Sequence, residues 1–104
     1  MSINKLSMEE AKANLDKNTD IVLIDIRTKQ EYTEGHIPGA INIPLQELGM
    51  CIDEVAPDFD QTIYFYCRSG VRTLTAGVIL ETLGYTDLYD MGGIISWPYE
   101  VENK

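Results

Sequence analysis

Residues 21–26, Ile-Val-Leu-Ile-Asp-Ile, restrict the fold more than any other stretch of the chain. A strand with one face in solvent alternates apolar and polar residues, and this stretch has no such alternation. Continuous β-branched runs are typical of parallel strands that are buried on both faces. The Thr-Ile-Tyr-Phe-Tyr run at residues 62–66 has the same character. The two runs predict an α/β protein whose central sheet is covered by helices on both sides.

Strand and helix patterns alternate along the rest of the chain. Two capping boxes, Ser7 to Glu10 and Thr28 to Glu31, each predict the start of a helix. Pro57 and Gly84 are suited to ending two later helices. We therefore predict further strands at 40–43 and 87–91, helices at 45–56 and 71–83, and a short helix around Trp97 after Gly92 and Gly93.

Composition excludes several classes of protein. The chain has 104 residues, which is the size of one domain spanning 1–104, and its net charge is −9. A basic patch for nucleic acid or anionic lipid is not expected at this charge, and no apolar run has the length of a membrane span. One histidine and two cysteines without ligand spacing predict neither a metal site nor a cofactor. The N-terminal residues lack an apolar signal segment, so we expect a cytoplasmic protein with reduced thiols.

The segment Cys-Arg-Ser-Gly-Val-Arg at 67–72 joins a predicted strand to a predicted helix. Ligands of parallel sheets bind at the carboxyl ends of the strands. Gly70 permits a positive φ, so that successive backbone N–H groups can converge on one anion beside the helix N-terminus. Arg68 and Arg72 add two positive charges, which favour the thiolate form of Cys67. Arginine at a helix N-terminus opposes the helix dipole, so a purely structural sequence would gain nothing from these two residues. We therefore interpret the loop as an anion-binding pocket around a nucleophilic cysteine.

Three segments in this order resemble one known family. They are LIDIRTKQEYTEGHIPGAINIP at 23–44, CRSGVRT at 67–73 and MGGIISW at 91–97. Together they are similar to the single-domain rhodaneses, which are sulfurtransferases. The resemblance implies a three-layer α/β/α fold with a central, mostly parallel, five-stranded sheet.

The resemblance also implies a reaction in two halves, for which no cofactor is expected. Cys67 would take the outer sulfur of thiosulfate or a similar small anionic donor and become a persulfide. A thiol, cyanide or a thioredoxin-like acceptor would then remove that sulfur. Backbone amides of 68–72 would cradle the sulfur, Arg68 would attract the donor, and Arg72 would support the loop and the bound anion. The Thr73 hydroxyl would face the sulfur. The implied active loop is Cys67, Arg68, Ser69, Gly70, Val71, Arg72 and Thr73.

Residues outside the loop have supporting or structural interpretations. Asp25 and Arg27 fall on one face of a strand, and we expect them to brace the loop, with Asp25 in contact with Arg72. His36 is structural in the resembling family and is not assigned to the site. Cys51 is either a resolving thiol for Cys67 or a packed cysteine.

Two alternatives to the sulfurtransferase remain. Phosphatases and arsenate reductases of the related fold carry Cys-x5-Arg loops, whereas this loop is Cys67-x4-Arg72. The shorter loop makes a smaller cradle, which suits sulfur better than phosphate. The other alternative is a non-catalytic rhodanese-like domain that binds a partner protein or acts in a sulfur relay.

Overall fold

The computed structural model of the protein describes residues 3–103. It contains five strands, four α-helices and two short 3-10 turns. The strands are β1 (Ile3–Lys5), β2 (Val22–Asp25), β3 (Ile41–Asn42), β4 (Ile63–Cys67) and β5 (Leu88–Gly93). The helices are α1 (Met8–Lys17), α2 (Lys29–Glu34), α3 (Leu48–Val55) and α4 (Arg72–Leu83), and the 3-10 turns are Leu45–Glu47 and Ile94–Ser96.

The strands form one sheet in the order β1-β5-β4-β2-β3, and every pair in it is parallel. The two apolar runs, now β2 and β4, are neighbours near the middle of the sheet. All five residues of β4 are buried. The predicted two-sided burial of these runs is confirmed, and so is the five-stranded α/β fold.

Helices cover both faces of the sheet. One core lies between the sheet and helices α3 and α4, where Ile24 of β2 and Phe65 of β4 are fully buried. The other core lies under α1, where Leu23, Tyr64 and Tyr66 are buried. Successive residues of one strand thus point into opposite cores, as the pleat requires. This is the predicted three-layer arrangement.

Both predicted capping boxes are present. The Ser7 hydroxyl accepts a hydrogen bond from the Glu10 N–H at 3.0 Å, and the Glu10 carboxylate accepts one from the Ser7 N–H at 3.1 Å. Thr28 and Glu31 make the same reciprocal pair at the start of α2. Helix α4 ends at Gly84, which has a left-handed φ of 111°.

The structure corrects three details of the sequence prediction. The helix predicted at 45–56 is a 3-10 turn followed by the shorter α3. Strand β5 continues through Gly92 and Gly93, because Gly93 pairs with Cys67, and only one 3-10 turn separates it from Trp97. The edge strand β1 was not predicted from the pattern, since Ile3–Lys5 is short and mostly polar. Within residues 3–103, the helices are too short or too polar to cross a bilayer.

Candidate active site

Cys67 is the last residue of β4, the central strand of the sheet. The register between β4 and β5 shifts between Phe65 and Cys67, so the strand becomes irregular where the loop begins. The residue is only 1% exposed. The thiol therefore lies at the carboxyl edge of the sheet, as predicted, and is held within the protein rather than on a flexible surface loop.

The loop after Cys67 turns back over its sulfur. Gly70 has φ of 98°, the predicted positive value, and its N–H donates to Cys67 Sγ at 3.0 Å. The buried Thr73 hydroxyl donates to the Gly70 carbonyl oxygen at 2.9 Å and so fixes this turn. Its predicted contact with a transferred sulfur stays a prediction. The Gly70 N–H thus points at the sulfur, and the Thr73 hydroxyl fixes the position of Gly70.

The end of β5 forms one wall of the loop. A Cβ atom on Gly93 would overlap the Arg68 carbonyl oxygen and would lie 2.5 Å from Ser69 Cα. The Arg68 carbonyl oxygen accepts a hydrogen bond from the Ile95 N–H at 3.2 Å. Glycine is thus required at residue 93 for close approach of two backbone segments. The loop is closed by residues more than twenty positions further along the chain.

The two loop arginines have different environments. Arg68 is exposed, whereas Arg72 makes a two-pronged ion pair with Glu31 of α2. The Nη1–Oε1 distance is 2.9 Å and the Nη2–Oε2 distance is 3.0 Å. The hydrogen bond with Glu31 is the main cause that raises the pKa of Arg72, and the charges of Glu31 and Cys67 add to it. The same hydrogen bond is the main cause that lowers the pKa of Glu31 to about 2.

Asp25 does not serve as the partner of Arg72, so that expectation was wrong. Its carboxylate is buried and pairs with Arg27, with 2.6 Å between Oδ2 and Nη2. The Tyr66 hydroxyl donates to the same Oδ2 at 2.8 Å and accepts from the Ile37 N–H at 3.1 Å. Arg27 also donates to the Gly35 carbonyl oxygen at 2.7 Å. The ion pair therefore braces Tyr66, the strand residue that precedes Cys67. Burial is the main cause that raises the pKa of Tyr66, and the charge of Asp25 raises it further.

Comparison with known proteins places this geometry in a family. The family model described as Rhodanese-like domain matches residues 7–98. The chain belongs to the rhodanese-like domain family. It is 35% identical over 96 residues to a protein named sulfurtransferase from Allochromatium vinosum, covering 91% of this chain and 88% of the relative. It is 39% identical over 71 residues to the thiosulfate sulfurtransferase PspE of Escherichia coli, covering 68% of each.

A solved structure agrees with the sequence matches. The structure titled rhodanese with anions from E. coli superimposes with a TM-score of 0.76 at 33% identity. The match covers 81% of this chain and 99% of that chain. The family expected from the three sequence segments is thus confirmed.

The single histidine of the rhodanese-like domain is built into its framework. His36 is buried and its ring stacks on Tyr32, with centroids 3.7 Å apart. Nδ1 lies 2.8 Å from the Tyr32 carbonyl oxygen, and the His36 backbone pairs with that of Glu102. These contacts fit the structural interpretation.

Cys51 lies on α3, half-buried against the core that contains Cys67. Burial raises the pKa of its thiol, and the carboxylates of Glu54, Glu47 and Asp53 raise it further. These surroundings favour the protonated thiol, which is the poor nucleophile. Cys51 thus has the electrostatic environment of a packed cysteine and lacks the arginines of the Cys67 loop.

Trp97 packs in the core under α1, and its indole N–H donates to the Glu100 carbonyl oxygen at 2.9 Å. It also lines a surface groove of about 750 Å³ together with Ile37, Pro38 and Tyr99. Residues 67–73 are not among those that line the groove. The aromatic residue is therefore a packing residue beside a separate concavity.

Sequence reasoning did not assign Glu31, Tyr66 or Gly93 to the site. Glu31 was interpreted only as part of a capping box, and Tyr66 only as a packing residue of the core or the cleft wall. The parallel pairing of β2 and β4 is the signal that would have placed Glu31 near the loop. Strands β2 and β4 are parallel neighbours, so the helices that follow them begin at the same edge of the sheet. An acidic first turn in α2 is therefore brought near the basic first turn of α4.

Proposed function

We propose that this rhodanese-like domain is a sulfurtransferase that carries sulfur as a persulfide on Cys67. The observation that carries the proposal is the Gly70 N–H that donates to Cys67 Sγ at the end of the central strand. A backbone donor aimed at sulfur stabilises negative charge on that atom. The two relatives named as sulfurtransferases support the same reaction class.

The first half-reaction loads the cysteine. The Cys67 thiolate attacks the outer sulfur of a small anionic donor, for which we propose thiosulfate. A sulfur–sulfur bond forms to Sγ, the sulfur–sulfur bond of the donor breaks, and sulfite leaves with the electron pair. Exposed Arg68 attracts the anion, and the Gly70 N–H, with the backbone amides of Ser69 and Val71, surrounds the sulfur. Thr73 holds this loop in shape from α4.

The second half-reaction unloads it. A thiolate or cyanide attacks the outer sulfur of the persulfide, and the Cys67 thiolate leaves. Because Cys67 is nearly fully buried, the acceptor must reach it through the loop opening. A small thiol or a thioredoxin-like protein with a projecting cysteine meets this requirement. A cytoplasmic location, where thiols are kept reduced, suits both half-reactions.

The phosphatase and arsenate reductase alternative is less well supported. The loop has four residues between Cys67 and Arg72, and the Arg72 fork is paired with Glu31. A phosphoryl or arsenate group needs an arginine fork for its peripheral oxygens. A domain that only binds a partner remains an outcome of the experiment below.

The test is the intact mass of the reduced protein after incubation with thiosulfate. We expect the gain of one sulfur, which cyanide or a dithiol removes. Cys67→Ser must abolish the gain. The matched variant Cys51→Ser keeps Cys67, the thiol that we assign to the reaction, and must still gain the mass of one sulfur. A folded protein with free Cys67 and no gain of mass would refute thiosulfate as donor and favour a partner-binding role.

A further inference from the structure

Glu31 is fixed from two sides at the edge of the Cys67 loop. Its Oε1 accepts the Thr28 N–H at 3.0 Å and the Thr28 hydroxyl at 3.2 Å, which belong to the capping box of α2. Both of its carboxylate oxygens also accept from Arg72. The carboxylate thus holds the first residue of α4 to the first turn of α2.

This pairing changes what Arg72 can offer to a ligand. A guanidinium fork binds carboxylates and tetrahedral oxyanions through the same pair of parallel N–H donors. In this structure Glu31 accepts one such pair, from Nη1 and Nη2 at the end of the guanidinium. The side chains of Arg72 and Glu31 are 33% and 23% exposed, so the pair is only partly screened by water. Arg72 is therefore close to the nucleophile, but the donor pair at the end of its guanidinium is already used by Glu31.

The remaining charges of the loop follow from the same contacts. Arg72 and Glu31 together are neutral, which leaves exposed Arg68 as the loop cation that a ligand meets. Asp25 cannot exchange with Glu31, because its carboxylate is buried and paired with Arg27. The first turn of α4 contains no acidic residue of its own. Glu31, on another helix, is thus the carboxylate that forms hydrogen bonds with Arg72.

We propose that Glu31 is a specificity-determining residue, which occupies the Arg72 fork and so weakens binding of tetrahedral oxyanions at the Cys67 loop. The cradle then stays open for the outer sulfur of a donor, whose charged end meets Arg68. The part of this inference that concerns sulfur donors rests on the proposed function. The part that concerns oxyanions is a property of the loop alone.

Sulfate is the probe, titrated at constant ionic strength while the amide resonance of Gly70 is followed by nuclear magnetic resonance. Glu31→Gln keeps an oxygen for the Thr28 cap but removes the charge that holds Arg72. We expect its sulfate dissociation constant to be about tenfold lower than that of the unmodified domain. Glu34→Gln, an exposed carboxylate on the same helix, removes the same charge and should change the constant by less than about twofold.

The double variant Glu31→Gln/Arg72→Gln removes the ion pair as a neutral unit. It should bind sulfate as the unmodified domain does, whereas Arg68→Ala should bind it several-fold more weakly. Equal constants for Glu31→Gln and Glu34→Gln would overturn the proposal. So would a gain from Glu31→Gln that persists without Arg72. If Glu31→Gln alone does not fold, a double variant as weak as Arg68→Ala overturns the proposal, because Arg72 would then already bind sulfate.

The titration contains no sulfur donor, so it is independent of persulfide formation. A domain that gains sulfur from thiosulfate but shows no difference between the glutamate variants would keep the proposed function and lose this inference. If the domain shows the sulfate difference but gains no sulfur from thiosulfate, the proposed function is refuted and the inference about Glu31 and oxyanion binding stands.

Discussion

Replacement of Tyr66 by phenylalanine should lower the free energy of unfolding by about 3 kcal/mol. The hydroxyl makes two buried hydrogen bonds, to Asp25 Oδ2 at 2.8 Å and from the Ile37 N–H at 3.1 Å. A hydrogen bond to a buried carboxylate is worth about 2 kcal/mol, and an unpaired buried N–H costs about 1 kcal/mol. The phenylalanine ring keeps the rest of the packing, so the loss comes from the hydroxyl alone.

The assay is urea unfolding followed by far-ultraviolet circular dichroism, with Tyr64→Phe as the control. Tyr64 lies on the same strand and the same face, but its hydroxyl accepts from the half-buried amide of Asn14 at 3.0 Å. Its loss should be about 0.5–1 kcal/mol, because both groups are neutral and water reaches the amide. Equal losses for the two variants, or less than about 1 kcal/mol for Tyr66→Phe, would refute the reasoning.

Three further outcomes are expected. Gly93→Ala should destabilise the domain by about 2–3 kcal/mol in urea unfolding and slow persulfide formation, because the added Cβ overlaps the loop backbone. The control is Gly39→Ala, at a residue with φ of 87° but open space around it. It should cost only about 1 kcal/mol and leave the rate of persulfide formation unchanged. The Glu31 carboxylate, with its pKa lowered from 4.5 to about 2, contributes stability above pH 4.5 that is lost as the pH falls toward 2. Between about pH 6 and pH 3, urea unfolding should thus show the stability deficit of Glu31→Gln, about 1–2 kcal/mol at pH 6, becoming smaller on acidification. A constant deficit would contradict the pairing. Iodoacetamide at neutral pH should modify Cys51 more slowly than an unfolded cysteine peptide, since burial and carboxylates raise its pKa; an equal rate would contradict this environment.

The parts of the site that sequence predicted are local in the chain. The central strand, the turn at Gly70 and the helix beginning at Arg72 follow one another within a few residues, and each has its own composition signal. The parts that sequence missed are not local. Glu31 and Arg72 are 41 positions apart, and so are Asp25 and Tyr66.

Such contacts depend on which strands are neighbours, and composition does not determine the order β1-β5-β4-β2-β3. The family resemblance supplied the number of strands, but the pattern of residues 3–5 is too short to indicate an edge strand. The role of Gly93 is equally hidden, because a glycine that permits close backbone approach looks like any loop glycine until both segments are placed.

The strand order also bears on how the chain is made. Among residues 3–103, strand β1 pairs only with β5, and Lys5 is 85 positions from its partner Asp90. On the ribosome, β1 must therefore wait for β5, the last of the five strands, while Cys67 emerges well before the Gly93 that closes its loop. A chain halted between those two points would carry the nucleophile in an open turn on an unfinished sheet. Completion of the sheet and completion of the site are one event in the synthesis of this protein.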